Sequence, residues 1–203
     1  MPNPNDGLIA PYAGTVGLVD TQAYPAVAEY YLNGQPTFLR ANLMRSTAVA
    51  NLAALSTGVM TSTAVLLYAG DVVTNLTFIS GATAAGTPTH WWFALYDTAS
   101  TPNLLGQSAD QTSGAWAANT AKTLALASPY TVTTTGIYEA AVNVTATTPP
   151  TLVGASVQTG AAGAVVSGMR ILAQTSGSSL TTTAPSTIAS PTTVGTVPLV
   201  IIT

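Results

Sequence analysis

The run His90-Trp91-Trp92-Phe93-Ala94-Leu95-Tyr96 brings together two of the chain's three tryptophans, a phenylalanine and a tyrosine. Neighbouring aromatic residues suit a strand that is covered on both sides, because successive side chains of a strand point to opposite faces. Trp91, Phe93 and Leu95 then fill one layer, while Trp92 and Tyr96 point into a second layer or toward a neighbouring chain. Turn-rich residues 80–88 lead into the run and residues 97–102 follow it, so it is bounded as a strand is, rather than continued as a helix. The expectation is the central strand of a β-sandwich.

Further strands follow at short intervals from Thr61 onward. Residues 64–68 are apolar, Gly70-Asp71 marks a turn or bulge, and residues 72–79 alternate with Val72, Leu76 and Phe78 on one face. Residues 104–108 form a short strand. Trp116 lies in a connection ahead of residues 122–127, where Leu124 and Leu126 share a face. Residues 130–134 read as extended and exposed. In residues 136–144 Tyr138, Ala140, Val142 and Val144 point one way, and Glu139 and Asn143 the other. Pro149-Pro150 breaks the chain. Residues 152–157 and 170–174 can each form a strand, and Pro185 and Pro191 bracket a loop. Residues 197–202 close the domain, with Pro198 restricted to an edge or a strand start. This amounts to roughly eight or nine strands separated by Gly, Pro, Ser and Thr, the pattern of a sandwich or jelly roll. Residues 46–55 support either a short helix or a strand.

Residues 1–45 have a different character. Pro2, Pro4, Pro11, Pro25 and Pro36 prevent long regular elements and favour extended segments with turns. Asn33-Gly34 is a hairpin signal between residues 28–32 and 37–40. An arm bearing Tyr24, Tyr30, Tyr31 and Phe38 cannot bury them alone, so it must lie on a partner or on its own sandwich. With Arg40, these are the candidate docking residues. The domain division expected is an extended arm over 1–45 and a sandwich over 46–203.

Charged residues make up 5% of the chain and hydrophobic ones 47%, yet no apolar run reaches the roughly 18 residues that a membrane helix needs. A net charge of −3 with four basic residues argues against nucleic acid, because neutralising phosphates takes clustered Lys and Arg. There is no cysteine, which removes disulfides, thiolate metal sites and cysteine nucleophiles together. The first residues lack a basic stretch followed by an apolar core, so the expectation is synthesis that ends in a cytoplasm.

Reactive groups are few and scattered. His90 is the sole histidine, and Asp97, seven positions along the same strand, would stand roughly 20 Å away, too far to pair with it. No Gly-x-Ser-x-Gly elbow occurs. The carboxylates Asp6, Asp20, Glu29, Asp71, Asp97, Asp110 and Glu139 are single, whereas a glycosidase needs two across a cleft and a calcium loop needs a spaced acidic series. Gly160-Ala161-Ala162-Gly163 has no phosphate-loop lysine and reads as a turn. Arg40, Arg45 and Arg170 read as loop anchors. Trp91, Trp92, Tyr96 and Trp116 could stack sugar rings, but in so apolar a run they fit a core or a subunit interface better. No catalytic residue, metal ligand or cofactor site is expected.

Residues 70–76, the aromatic run 90–96, Ala115-Trp116-Ala117-Ala118-Asn119-Thr120, Ser128-Pro129-Tyr130-Thr131-Val132 and Gly136-Ile137-Tyr138 together resemble virion structural proteins, minor tail or surface proteins, of tailed bacteriophages infecting actinobacteria. The resemblance covers about residues 61–154 and carries no catalytic motif. It implies a non-enzymatic, jelly-roll-like domain displayed on a particle as a homo-oligomer, with a trimer expected, in contact with other virion proteins of tail or capsid and assembled in the host cytoplasm. A minor tail protein docking through the arm is the first expectation. Capsid decoration, or a receptor module whose tryptophans touch host cell-wall glycan, are the alternatives. Neither nucleic acid nor membrane is an expected partner.

Overall fold

The computed structural model describes residues 39–49 and 51–203, and in it the aromatic run forms the second half of β4 (Gly86–Tyr96). This strand lies between β5 (Leu104–Gln107) and β7 (Gly136–Thr148), antiparallel to both, with Trp91 opposite Val144, Phe93 opposite Val142 and Leu95 opposite Ala140. Beyond β7 come β2 (Met60–Leu67), β9 (Ala173–Ser176) and β10 (Thr192–Thr193), completing a 6-stranded sheet in the order β10-β9-β2-β7-β4-β5. A 4-stranded sheet joins β1 (Arg40–Ala41), β12 (Val200–Ile202), β3 (Val72–Ile79) and β6 (Ala121–Thr131) in that spatial order. A small ladder pairs β8 (Gly154–Ser156) with β11 (Thr196–Pro198). There Gly154 lies so close to the Val197 carbonyl that any Cβ would collide with it. The described chain is thus mostly β, with antiparallel sheets packed together as in a β-sandwich.

Aromatic rings fill the space between the two large sheets. Phe93 of β4 meets Phe78 of β3 at 4.8 Å between ring centres. Trp116, from the connection between β5 and β6, stacks on Trp91 at 5.1 Å and turns its edge to Phe93 at 5.6 Å. Both indole N–H groups are satisfied: Trp91 donates to the Gly114 carbonyl and Trp116 to that of Thr120. Val73, Leu76, Val142, Val144, Val200 and Ile202 complete this buried layer. Each such side chain contributes on the order of 2 kcal/mol by leaving water.

Several elements depart from the expectations. In β3 the N–H groups of Thr74 and Asn75 both donate to the Thr203 carbonyl, and the extra residue of such a bulge reverses the alternation before it. Val73 therefore joins Leu76 and Phe78 inside, while Val72 is 45% exposed. The described residues within 46–55 form neither a full helix nor a strand: a 3-10 turn spans Arg45–Thr47, and Val49 makes a single bridge to Gly154. Leu52 and Leu55 then run alongside the next segment, donating to the carbonyls of Leu152 and Pro150, with both side chains buried. Val132 is buried rather than exposed. The closing segment is two strands, because β11 pairs with β8 whereas β12 pairs with β3. The short helix α1 (Thr159–Ala162) precedes β9. Among the described residues, no helix is long and apolar enough to cross a membrane.

Candidate functional site

The outer face of the 6-stranded sheet gathers the less ordinary chemistry of the described chain. Met60, Trp92, Ala94, Tyr96 and Ala141 point outward there, and the irregular stretch 177–188 covers them with Ala184 and Ile188, flanked by Leu104 and Leu180. A loop brings carbonyls that no ladder occupies, and the aromatic residues use them. Trp92 Nε1 donates to the Thr181 carbonyl at 2.7 Å, and the Tyr96 hydroxyl donates to that of Pro185 at 2.9 Å. Gln107 ties the loop down, its Nε2 donating to the Thr182 carbonyl and its Oε1 accepting from Ala184 N. The Thr145 hydroxyl donates to the Leu180 carbonyl.

The same face carries Ser62 on β2 and Glu139 and Asn143 on β7, each at most 1% exposed. Glu139 stands opposite Ala64 and Tyr96, and Ser62 lies one step diagonal to it, opposite Ala141 and Gln174. Burial pushes the Glu139 carboxyl up to about 7, and Arg170 and the nearby Ser62 hydroxyl only partly offset this. Four of the groups carry buried polar atoms with no well-formed hydrogen bond: Ser62 Oγ, Glu139 Oε2, both amide atoms of Asn143, and Arg170 Nη2. Buried polar groups of this kind are costly and uncommon. Arg170 reaches the site from the chain after α1, and its Nη1 donates to the Ala99 carbonyl at 2.9 Å. Chemically, Glu139 can hold or release a proton near neutral pH. Its burial keeps that proton away from any large substrate.

Asp97 borders this cluster. Burial raises its carboxyl, but the Asn103 side chain, the N–H groups of Asn103 and Ala99, and the charge of Arg170 together bring it below its ordinary value. The Asn103 and Ala99 bonds close a loop from β4 to β5, which is the structural use expected of Asp97.

Two other side-chain pairs among the described residues lie elsewhere. His90 Nδ1 meets Asp110 Oδ2 at 2.7 Å, and Asp110 Oδ1 accepts from the N–H groups of Trp91 and Thr112. Asp110 is thus the carboxylate that His90 finds, because the chain after β5 folds back beside the start of the aromatic run. Arg40 Nη2 donates to Asp71 Oδ1 at 2.9 Å, with 10% and 6% of the two side chains exposed. Asp71 Oδ2 also accepts from Tyr68 N, and the Arg40 guanidinium lies 5.1 Å from the Tyr68 ring centre.

Of the residues singled out in the sequence, Trp91 and Trp116 come together in the inner layer, while Trp92 and Tyr96 share the outer one. All four are at most 2% exposed, so none presents a face to a sugar ring or to a neighbouring subunit. The interface and glycan-platform expectations for them are corrected on that ground: their cover comes from their own chain. Tyr24, Tyr30, Tyr31 and Phe38 lie outside the described residues. Arg40, grouped with the arm, takes part in β1 and is paired with Asp71. The Glu139, Ser62 and Arg170 grouping was missed. Its one signal in the sequence was that a strand aromatic on both faces needs neighbours covered on both faces, which buries the polar side of an alternating strand beside it.

No known protein family matches the chain, and no curated protein matches it.

Proposed function

We propose that this chain is a non-enzymatic structural protein of a bacteriophage virion, a minor tail protein. Its N-terminal residues dock on the particle, and its jelly-roll-like sandwich assembles with copies of itself as a trimer. The resemblance of residues 61–154 to such proteins supports this reading. So does the path of the chain, which passes between the two large sheets from β2 to β3, β3 to β4, β5 to β6 and β6 to β7, as jelly rolls do. Val165 and Val166, each 60% exposed, and Met169, 46% exposed, are apolar surface that a neighbouring copy would cover.

The observation that carries the proposal is the root of the N-terminal segment. Arg40 and Ala41 pair with Ile202 and Ile201. The Asn42 side chain donates to the Pro198 carbonyl and accepts from Val200 N, and Arg40 is held by Asp71. The first described strand is thus held to the sandwich by a sheet ladder and by the pairing of Arg40 with Asp71.

The test is assembly of virions with a chain lacking residues 1–38, a truncation that keeps β1 and the partner of Asp71. The truncated chain is expected to fold, to form the same oligomer by sedimentation, and to be missing from purified particles. Incorporation at the full-length level sinks the docking reading. Antibody label on the head rather than the tail of particles carrying the full-length chain sinks the tail assignment.

A further inference from the structure

Residues 163–172 carry Val165, Val166 and Met169 to the surface, and Gly168 turns there with φ at +86°. At its far end the stretch joins the sheet, where Leu172 accepts from Ala64 N and from the Thr63 hydroxyl. Between those ends, the hydrogen bond from residues 164–171 to the rest of the described chain is that of Arg170 Nη1 with Ala99 O. The other arm of the same guanidinium, Nη2, is buried without an acceptor, while Glu139 Oε2 is buried without a donor and Ser62 Oγ is likewise unpartnered. Arg170 acts electrostatically on Glu139, yet the two are not within ion-pair distance. A donor and an acceptor of opposite charge type, both sealed from water and both unmet, have more to gain from each other than from any other described group.

We propose that Glu139 and Arg170 form a proton-controlled clamp, in which loss of the Glu139 proton draws Arg170 Nη2 onto the carboxylate and fastens the apolar surface stretch 163–172 to the outer face of β7. While the carboxyl is neutral, Arg170 keeps its bond to Ala99 and the stretch is held more loosely. The groups facing Glu139 allow one such partner. Tyr96, opposite on β4, stays uncharged, since burial raises its phenol far above the ordinary value. On β2 the facing residues are Ser62 and Ala64, and β9 offers Gln174, none of which carries charge. Asp97, in the loop after β4, also acts on Arg170 and already has its own donors, so it stays ionised through the whole range and does not compete for the switch. Burial places the Glu139 proton loss near neutrality, where a modest change of medium operates the clamp.

Amide hydrogen exchange of the full chain, followed by NMR and corrected for intrinsic rates, tests this at about pH 5.5 and about pH 8.5. Protection of residues 164–171 is expected to rise about tenfold at the higher pH, as one charge-assisted hydrogen bond is gained. The Glu139 side-chain carbon should titrate over the same range. Glu139→Gln and Arg170→Gln should each abolish the rise. Arg170 is half-buried in a surface stretch, so its variant supplies the comparison if the Glu139→Gln chain does not fold. Unchanged or falling protection in the native chain, or a rise that survives in Arg170→Gln, overturns the proposal.

Discussion

The two faces of the 6-stranded sheet are buried to a similar degree by very different covers. The inner face meets another sheet, whose backbone polar groups are largely used in its own ladders, and its packing is mainly apolar and aromatic, with a few polar contacts such as Asn42 Nδ2 donating to the Thr63 hydroxyl and the Trp91 and Trp116 indoles donating to loop carbonyls. The outer face meets residues 177–188, a loop with carbonyls to spare, to which the Trp92 indole and the Tyr96 phenol donate, and a hydroxyl, an amide and a carboxyl lie buried on the same face. A regular cover demands apolar partners, whereas an irregular one admits polar partners and leaves some of them unmet. Most of the buried side-chain polar atoms left unmet among the described residues lie on or against this outer face for that reason.

The difference can be broken by deleting equal apolar volume on each side. Leu76→Ala, against the opposing sheet, is expected to cost about 4 kcal/mol, and Ile188→Ala, in the loop, nearer 2 kcal/mol, because a loop relaxes into the cavity and a sheet does not. Equal losses by chemical denaturation would mean that the loop is as rigid as the sheet.

Glu139→Gln sharpens the contrast through pH. With a folded value of about 7 against an ordinary 4.5, the native carboxyl favours the folded state most fully below pH 4.5. That contribution is lost as pH rises through about 7. The variant should therefore match the native chain near pH 4 and exceed it by about 3 kcal/mol above pH 8. Thermal melts across that range give the answer, and a constant difference would show that Glu139 does not titrate inside the fold.

Tyr96→Phe should have the smallest effect. It leaves the Pro185 carbonyl without its donor and should cost about 1 kcal/mol, read as a small drop in melting temperature with the sheet intact. A loss several times larger would mean that the hydroxyl holds the whole loop in place.

Much of the inner layer was legible in residues 90–96. Trp91, Phe93 and Leu95 fall on one side by the two-residue period of a strand, and the aromatic crowding announced cover on both sides. The nature of the second cover was not legible, because residues 177–188 show no periodicity that marks them as packing material. Val72 was misplaced for a local reason: a bulge adds one residue to a strand, and nothing in Val72-Val73-Thr74-Asn75 signals it. The pairing of His90 with Asp110 could not be read either, since it depends on where the chain after β5 returns.

By itself the sequence determined a strand-built domain whose aromatic run is a strand covered on both faces, since side-chain alternation and turn residues are local and survive any choice of partner strands. That this strand lies next to the sheet edge, beside β5, and pairs antiparallel was decided by the fold. Tertiary structure alone decided that Trp92 and Tyr96 face their own loop and not a neighbour, and that Glu139 is enclosed within reach of the charge of Arg170. Burial and pairing depend on which distant segments meet, and a charge scattered singly along a chain acquires its chemistry only from what is folded over it.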